Sequence, residues 1–552
     1  MIFLLLVTTI VGLSAENLQL DVLFTNDIHG GIDRYDATFI NPDFPPKLGG
    51  GGIAAAYINK VRSKKITGER ASMLIDAGDF FQGHPIGTMS DGEAVIKYMN
   101  MIGYDLMVIG NHEYDIKEKR LKEVLSLADF PILSCNIAKK GTDELVVYVE
   151  PYIIMEKMGI RIGLVGVTTT DTEKMSFPEN IKNVDFLNAK KSLQKWIPQV
   201  REQGVDLLFV VGHMGLPYEP EPAYQRRYES GKERPKERNW GYDAQELAHE
   251  VEGIDVFFGG HMHKGFAEPW EDPVTHTLVL QGYAYGSNVG HITFNIDPET
   301  KTIAGYELPA IDDGALITLF EDEFIAHQEI ADTIAYYQKK AEKGMDEVIG
   351  EAADQISRRD VDAQSEIGNL VCQSMIAHTD ADFAFLNLGG VRDELQKGPI
   401  TYRDVFQVMP FENQIITFTA SGEFLKRIIE MRVSGTRHGL RIAGGTVVYS
   451  RERDDYDRIT KLEIGGKPWR ADATYEVATT DFLMQGNAGL TMLTKVPEEK
   501  ITRYEKELRD AIVDYIRRNS PIDIKIDDRW RREDNSKKTK ELQEELNKLN
   551  TK

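Results

Sequence analysis

The chain has 552 residues, a formal net charge of −23, 41% hydrophobic residues and 28% charged residues. That length implies two domains or more, and that composition an ordinary globular core. So acidic a field excludes a nucleic-acid polymer as a natural partner, but it leaves room for a small anion held by local cations.

The first element is an apolar run, "MIFLLLVTTIVGLSA", residues 1–15. It is too short to span a bilayer and has the length of a signal-peptide core, although its basic n-region is missing. A buried first strand is the alternative, but a better strand, "LQLDVLFTN", follows at once. Export to the periplasm or medium is therefore expected. No later stretch reads as a membrane helix. The two cysteines, Cys135 and Cys372, read as buried strand-end and helix residues, so they say little about compartment.

From residue 16 to 311, short apolar runs alternate with amphipathic helical segments. The strand-like runs are "LQLDVLFTN", "ASMLIDAGD", "YDLMVIGN", "FPILSCNI", "IRIGLVGVTT", "VDLLFVVGHM", "IDVFFGGHMH" and "HTLVLQGYAY". Helices are expected at Gly52–Lys64 and Ile116–Leu127. Unbroken apolar strands separated by helices indicate a layered α/β domain with both sheet faces covered. The run "LGGGGIAAAY" lacks the Lys-Ser/Thr of a phosphate loop and reads as a turn opening a helix. Residues 214–243 interrupt the rhythm with Pro, Glu, Arg and Tyr. This is a surface insertion, read equally as a lid or as a solvated excursion. Residues 312–344 read as a strand-free helical connector. A second α/β (α+β) domain follows over 345–520, and 521–552 reads as a charged tail.

Chemistry-bearing residues collect where strands end. "LFTNDIHG" supplies Asp27 and His29, "LIDAGDFFQG" Asp79, and "VIGNHEYD" Asn111, His112, Glu113 and Asp115. "FVVGHMG" supplies His213, and "FFGGHMHKG" His261 and His263. In an open α/β sheet the carboxyl ends of the strands share one crevice, so these residues can converge. Asp27, His29, Asp79, Asn111, His213, His261 and His263 are N and O donors without thiolate. They suit Mn, Zn, Fe, Co or Mg, and there are about enough for two ions, with Asp79 the bridging candidate. Asp27 and His29, two apart on an extended segment, should reach one ion, and likewise His261 and His263. His112 should face the substrate, with Asp115 favouring its cationic form, so that it stabilises phosphoryl charge or protonates a leaving alkoxide. Glu113 reads as a structural hydrogen-bond acceptor.

These blocks resemble the calcineurin-like metallophosphoesterases and, in their order, the two-domain 5′-nucleotidase family, which includes UDP-sugar hydrolases and cyclic-nucleotide phosphodiesterases. The resemblance implies a four-layer α/β/β/α sandwich carrying two divalent metals, followed by a substrate-binding domain. By match of motif, one metal takes Asp27, His29, Asp79 and His263, and the other Asp79, Asn111, His213 and His261. His112 and Asp115 match the family's catalytic dyad. In "NLGGVRDELQKGPITYRDVFQVMPFENQ", Arg392 matches a phosphate-gripping arginine, Phe411 a base-stacking aromatic, and Asn413 its polar neighbour. Phe482 in "TTDFLMQGNAGL" matches the second aromatic. Two departures stand out. Ala488 occupies the place of the family's ribose-holding Asp. Arg358 and Arg359 are off the spacing of the family's phosphate-clamp arginines, with Val361 and Asp362 near the expected positions.

The expected function is that of a secreted dimetal phosphoester hydrolase, cleaving nucleoside 5′-monophosphates or related nucleotides by in-line attack of a metal-activated hydroxide. A cyclic-nucleotide phosphodiesterase, a UDP-sugar-type diphosphatase or a sulfur-ester hydrolase on the same scaffold is the first alternative. A non-catalytic binding or cell-surface protein is the second.

Overall fold

The computed structural model describes residues 17–533, except 38–39, 42–43, 67, 230–240, 310–313, 342, 412 and 435–438. The apolar run at residues 1–15, the centre of the 214–243 insertion and the end of the charged tail lie outside the described residues.

The apolar runs form two sheets. The first is seven-stranded, in the order Ile303–Glu307, Asn288–Ile296, Leu18–Thr25, Arg70–Asp76, Leu106–Val108 and Ile132–Leu133, with Leu316–Thr318 also paired to Asn288–Ile296. The second has six strands, in the order Trp270–Glu271, Leu278–Gln281, Val256–Gly259, Leu207–His213, Ile160–Thr168 and Tyr152–Lys157. Side-chain alternation along each strand explains the stacking. Val22 and Phe24 point inward and meet Phe209, Val211 and Phe258 of the other sheet, whereas Leu23 between them points to the first helical layer. On the second sheet Leu208 and Val210 point outward to Leu193, Ile197 and Leu247. The result is the expected α/β/β/α sandwich. Leu18–Thr25, Arg70–Asp76 and Leu106–Val108 run parallel in one sheet, and Ile160–Thr168, Leu207–His213 and Val256–Gly259 run parallel in the other.

The second domain wraps a five-stranded sheet, ordered Arg441–Ala443, Phe383–Leu386, Thr474–Thr480, Gln414–Ser421 and Ile501–Glu507. The helices Glu366–Thr379, Gly422–Val433 and Leu508–Asn519 contribute to its core. Among the described residues no helix is long and apolar enough to cross a membrane.

Two boundaries differ from the sequence reading. The 312–344 segment is not a strand-free connector. Leu316–Thr318 joins the first sheet, and the helix Gln328–Ala341 buries Ile330 and Ile334 in the first domain's core. A helix with only two buried positions reads as exposed in sequence, because its charged faces outnumber its stripe. Nor does the charged tail begin at 521. Ile522, Ile524 and Trp530 are buried in the second domain's core, and Trp530–Arg532 pairs with Gly445–Tyr449. The charges of "DDRWRRE" conceal a short edge strand held by one large aromatic.

The first domain also buries a charged network that the sequence does not announce. Asp21 is 1% exposed and accepts from Arg70 Nε and Nη2 at 2.8 Å each, from His291 Nε2 at 3.0 Å and from Thr293 Oγ1 at 2.7 Å. Burial opposes ionisation, but bonds from His291, Arg70 and Thr293 win and hold the carboxyl down to about 2. A depressed carboxylate stabilises the fold above its unfolded value and loses that contribution as pH falls from about 4 to 2. Asp21→Asn is therefore expected to cost about 3 kcal/mol at neutral pH. The variant should also lose less stability than wild type between pH 4 and pH 2. Parallel acid limbs in denaturant titrations would contradict the assignment.

Candidate dimetal centre and substrate cleft

The strand-end residues converge between the two sheets. Asp27, His29 and His263 form one cluster with donor atoms within 4.8 Å of one another, and Asp79, His213 and His261 form a second. Asp79 lies between them: its Oδ2 is 3.8 Å from His29 Nε2 and 3.0 Å from His213 Nε2. His213 Nε2 in turn lies 3.9 Å from Asp27 Oδ1. The local backbone is not the extended chain that the spacing suggests. Asp27, His29, Asp79, His261 and His263 all adopt positive φ, between 48° and 76°. Side chains two apart then need not share a side. Asp27 and His29 do meet in one cluster, but His261 and His263 divide between the two. Left-handed backbone at non-glycine residues costs roughly 1 kcal/mol or more each, and it accumulates where function demands it. The neighbouring Gly110 is required by space, since a Cβ there would sit 2.2 Å from Asp79 Oδ1.

The surrounding bonds aim the donor atoms. His29 Nδ1 is 2.6 Å from Gln82 O and His213 Nδ1 is 2.8 Å from Ala77 O, which leaves both Nε2 atoms facing the centre. Asp27 Oδ2 accepts from Asn26 Nδ2 at 2.6 Å and from the His261 amide at 2.8 Å. Asp27 Oδ1, Asn111 Oδ1 and His213 Nε2 are buried without a hydrogen-bond partner among the described residues. Native proteins rarely tolerate three such atoms in one place, and a pair of divalent cations fits this donor set. Burial pushes His29 well down and His261 down to about 4, so both imidazoles are neutral, which is the ligating form. For His213 burial is outweighed by Asp79, which raises it to about 10, so a cation binding there would displace a proton. Despite their burial, Asp27 is held low by His263 and His213, and Asp79 by His213 and His112.

His112 belongs to neither cluster. Its amide donates to Asp79 Oδ1 at 2.8 Å, and its Nδ1 lies 2.5 Å from Asp115 Oδ2. Burial opposes the charged ring, but the Asp115 and Asp79 carboxylates raise its pKa above the ordinary histidine value. Glu113 points the other way and accepts from the amides of Phe80, Gly110 and Asp79 at 2.8, 2.6 and 3.2 Å. It is the structural acceptor that the sequence suggests.

The second domain closes over this edge. Arg392 Nη2 lies 3.4 Å from His112 Nε2, and its guanidinium is 5.5 Å from the Phe411 ring centre. Phe411 is nearly parallel to the His112 ring, with centres 6.1 Å apart. Asn413 is buried on the same segment. Phe482 meets Phe177 edge to face at 5.8 Å. Gln82 Nε2 donates to Pro410 O across the domains at 3.2 Å. Asn26, Gln82 and Phe177 escape sequence reading. Asn26 directly precedes Asp27 and Gln82 is the last residue but one of the "GDFFQG" block, but their roles are carried by geometry that no spacing encodes.

Two family models match the chain: the calcineurin-like phosphoesterase model over residues 20–265, and the 5′-nucleotidase C-terminal domain model over residues 348–495. The chain belongs to the two-domain 5′-nucleotidase family. A 5′-nucleotidase of Vibrio vulnificus is 29% identical over 544 residues, covering 92% of this chain and 91% of that protein. The structure of a 5′-nucleotidase precursor from Thermus thermophilus superposes with a TM-score of 0.79 at 23% identity, covering 93% of this chain and 99% of that one. A sulfate thiohydrolase, SoxB, from the same organism superposes at 0.72 and 16% identity, covering 93% and 96%. The structure also places the two positions at which the sequence departs from the expected motif. Ala488, with φ 51°, offers its carbonyl to Arg432 Nη1 at 2.8 Å and has no polar side chain to offer a sugar. Arg358 is exposed and donates to the Arg392 carbonyl at 2.8 Å, so it braces the backbone of the arginine beside His112.

Proposed function

We propose that the chain is a dimetal phosphoester hydrolase that releases phosphate from nucleoside 5′-monophosphates or closely related nucleotides. The supporting observation is the convergence of the Asp27–His29–His263 and Asp79–His213–His261 clusters, with Asp27 Oδ1 and Asn111 Oδ1 buried and unbonded, beside a His112–Arg392 pair drawn from two domains. Asp27, His29, Asp79 and His263 would hold one divalent cation, and Asp79, Asn111, His213 and His261 the other. Such cations supply Lewis acidity toward phosphoryl oxygens and lower the pKa of a water nucleophile. Arg392 orients the phosphate from the second domain. His112, kept cationic by Asp115, lies within reach of the phosphoryl or leaving oxygen and stabilises or protonates it. Phe411 and Phe482 offer ring faces to a planar leaving group.

Purified protein with manganese is expected to release phosphate from AMP, and excess chelator to stop it. Chelator-sensitive cleavage of an aryl phosphate or a diester, with none of AMP, would retire the nucleotidase reading. It would favour the second reading, in which the same centre acts on a cyclic nucleotide, a UDP-sugar or a sulfur ester. Ala488 is the observation that favours that reading. We also propose export, on the strength of the apolar run at residues 2–13. Cell fractionation tests it, and retention in the cytoplasm would refute it.

A further inference from the structure

We propose that the first domain supplies a wall of the leaving-group pocket, in which Phe177 positions the Phe482 ring and the buried amide of Asn487 donates to the sugar. This deepens the nucleotidase reading and rests on it. The wall is the segment from Thr172 to Asn180. It leans on the catalytic turn: Asn180 Nδ2 donates to the carbonyls of Tyr114 and Asp115 at 3.1 and 2.9 Å, and Ser176 Oγ reaches the Asn111 carbonyl at 3.5 Å. The same segment meets the second domain twice. Phe177 sets its ring at 83° to Phe482, and Thr172–Met175 packs against the turn Asn487–Gly489. Both rings are half-buried: Phe482 rests one side on the second domain's core and meets Phe177 with another.

That turn is held in an unusual shape. Gly486, Ala488 and Gly489 all have positive φ, at 89°, 51° and 76°. The buried Arg432 pins it through the Ala488 carbonyl. What this arrangement presents is Asn487, which is 4% exposed and whose Nδ2 has no hydrogen-bond partner among the described residues. A buried donor left unmade is costly, and its place on a pinned turn at the domain seam points to an acceptor from outside the chain. Beside an aromatic that takes a planar ring, the fitting acceptor is a hydroxyl oxygen of the attached sugar. The pocket thus selects nucleoside phosphates over simple sugar phosphates through residues of both domains.

Kinetics on AMP, ribose 5-phosphate and glycerol 3-phosphate separate the parts. Phe177→Leu is expected to raise KM for AMP about tenfold with kcat nearly unchanged, and to leave ribose 5-phosphate unaffected. Phe177→Tyr should behave as wild type, which controls for misfolding. Asn487→Ala should raise KM for AMP and for ribose 5-phosphate alike, by about fivefold, and spare glycerol 3-phosphate. In Phe177→Leu/Phe482→Leu the two losses should not multiply, because one residue acts through the other. Equal losses on all three substrates, or fully multiplicative losses in the double variant, would overturn the proposal. Wild-type protein that cleaves other phosphoesters but not AMP would instead overturn the nucleotidase reading beneath it.

Discussion

His112→Ala is expected to lower kcat about a thousandfold while leaving metal content intact. The bond that ties residue 112 to the metal centre is made by its backbone, whose amide donates to Asp79 Oδ1 at 2.8 Å. Alanine keeps that amide, so Asp79 keeps its orientation. What alanine removes is a ring that touches Asp115 on one nitrogen and Arg392 on the other. If the ring carries a proton to the leaving oxygen, turnover collapses and metal stoichiometry stays level by elemental analysis. Parallel loss of metal and activity would show that His112 is a structural support of the centre. A companion change reads out the proton itself. Asp115 raises the pKa of His112, so the imidazolium persists to higher pH than an ordinary histidine would allow. In Asp115→Asn that support is gone, and the alkaline limb of the kcat profile should move to lower pH. An unmoved limb would mean that another group sets it.

Much of this centre is legible in the sequence, and the reason is physical. Strands buried on both faces read as unbroken apolar runs, so a polar residue directly after such a run is conspicuous. Asp79 at the end of "MLIDAGD" and His213 at the end of "LLFVVGH" declare themselves in that way. The α/β rule that strand ends share a crevice then brings distant positions together. Backbone conformation is not legible. Nothing in "NDIHG" or "GHMHK" shows that both histidine motifs turn through positive φ, so the extended-chain argument wrongly sends His261 and His263 to the same cluster. Contacts across the domains are hidden for a different reason. The approach of Phe177 to Phe482 joins positions some three hundred residues apart, and neither sits in a periodic pattern. Trp530 is lost among charges because one large aromatic can hold a short edge strand without any alternation.

Asp79→Asn is expected to be more damaging than loss of His112, with activity down beyond about ten-thousandfold, the upper range of a general-acid effect, and with metal lost from both positions. The Asp79 carboxylate approaches both clusters, 3.8 Å from His29 Nε2 and 3.0 Å from His213 Nε2, and comes nearer to His213 than Asp27 does at 3.9 Å. It would therefore be the natural bridge, and its negative charge would serve both cations. Asparagine is the informative replacement because the position has φ 60°, a conformation that asparagine tolerates and alanine resists. Its amide oxygen can still accept from the His112 backbone, so the catalytic turn stays in place. Only the charge and one ligating oxygen are removed, and an N–H donor then faces the imidazole of His213. Metal stoichiometry measured on the folded variant decides the matter. Two ions retained would remove Asp79 from the bridge, and one ion retained would make it a terminal ligand of a single site. Loss of both, with far-ultraviolet dichroism and melting otherwise close to wild type, is the outcome that a shared carboxylate requires.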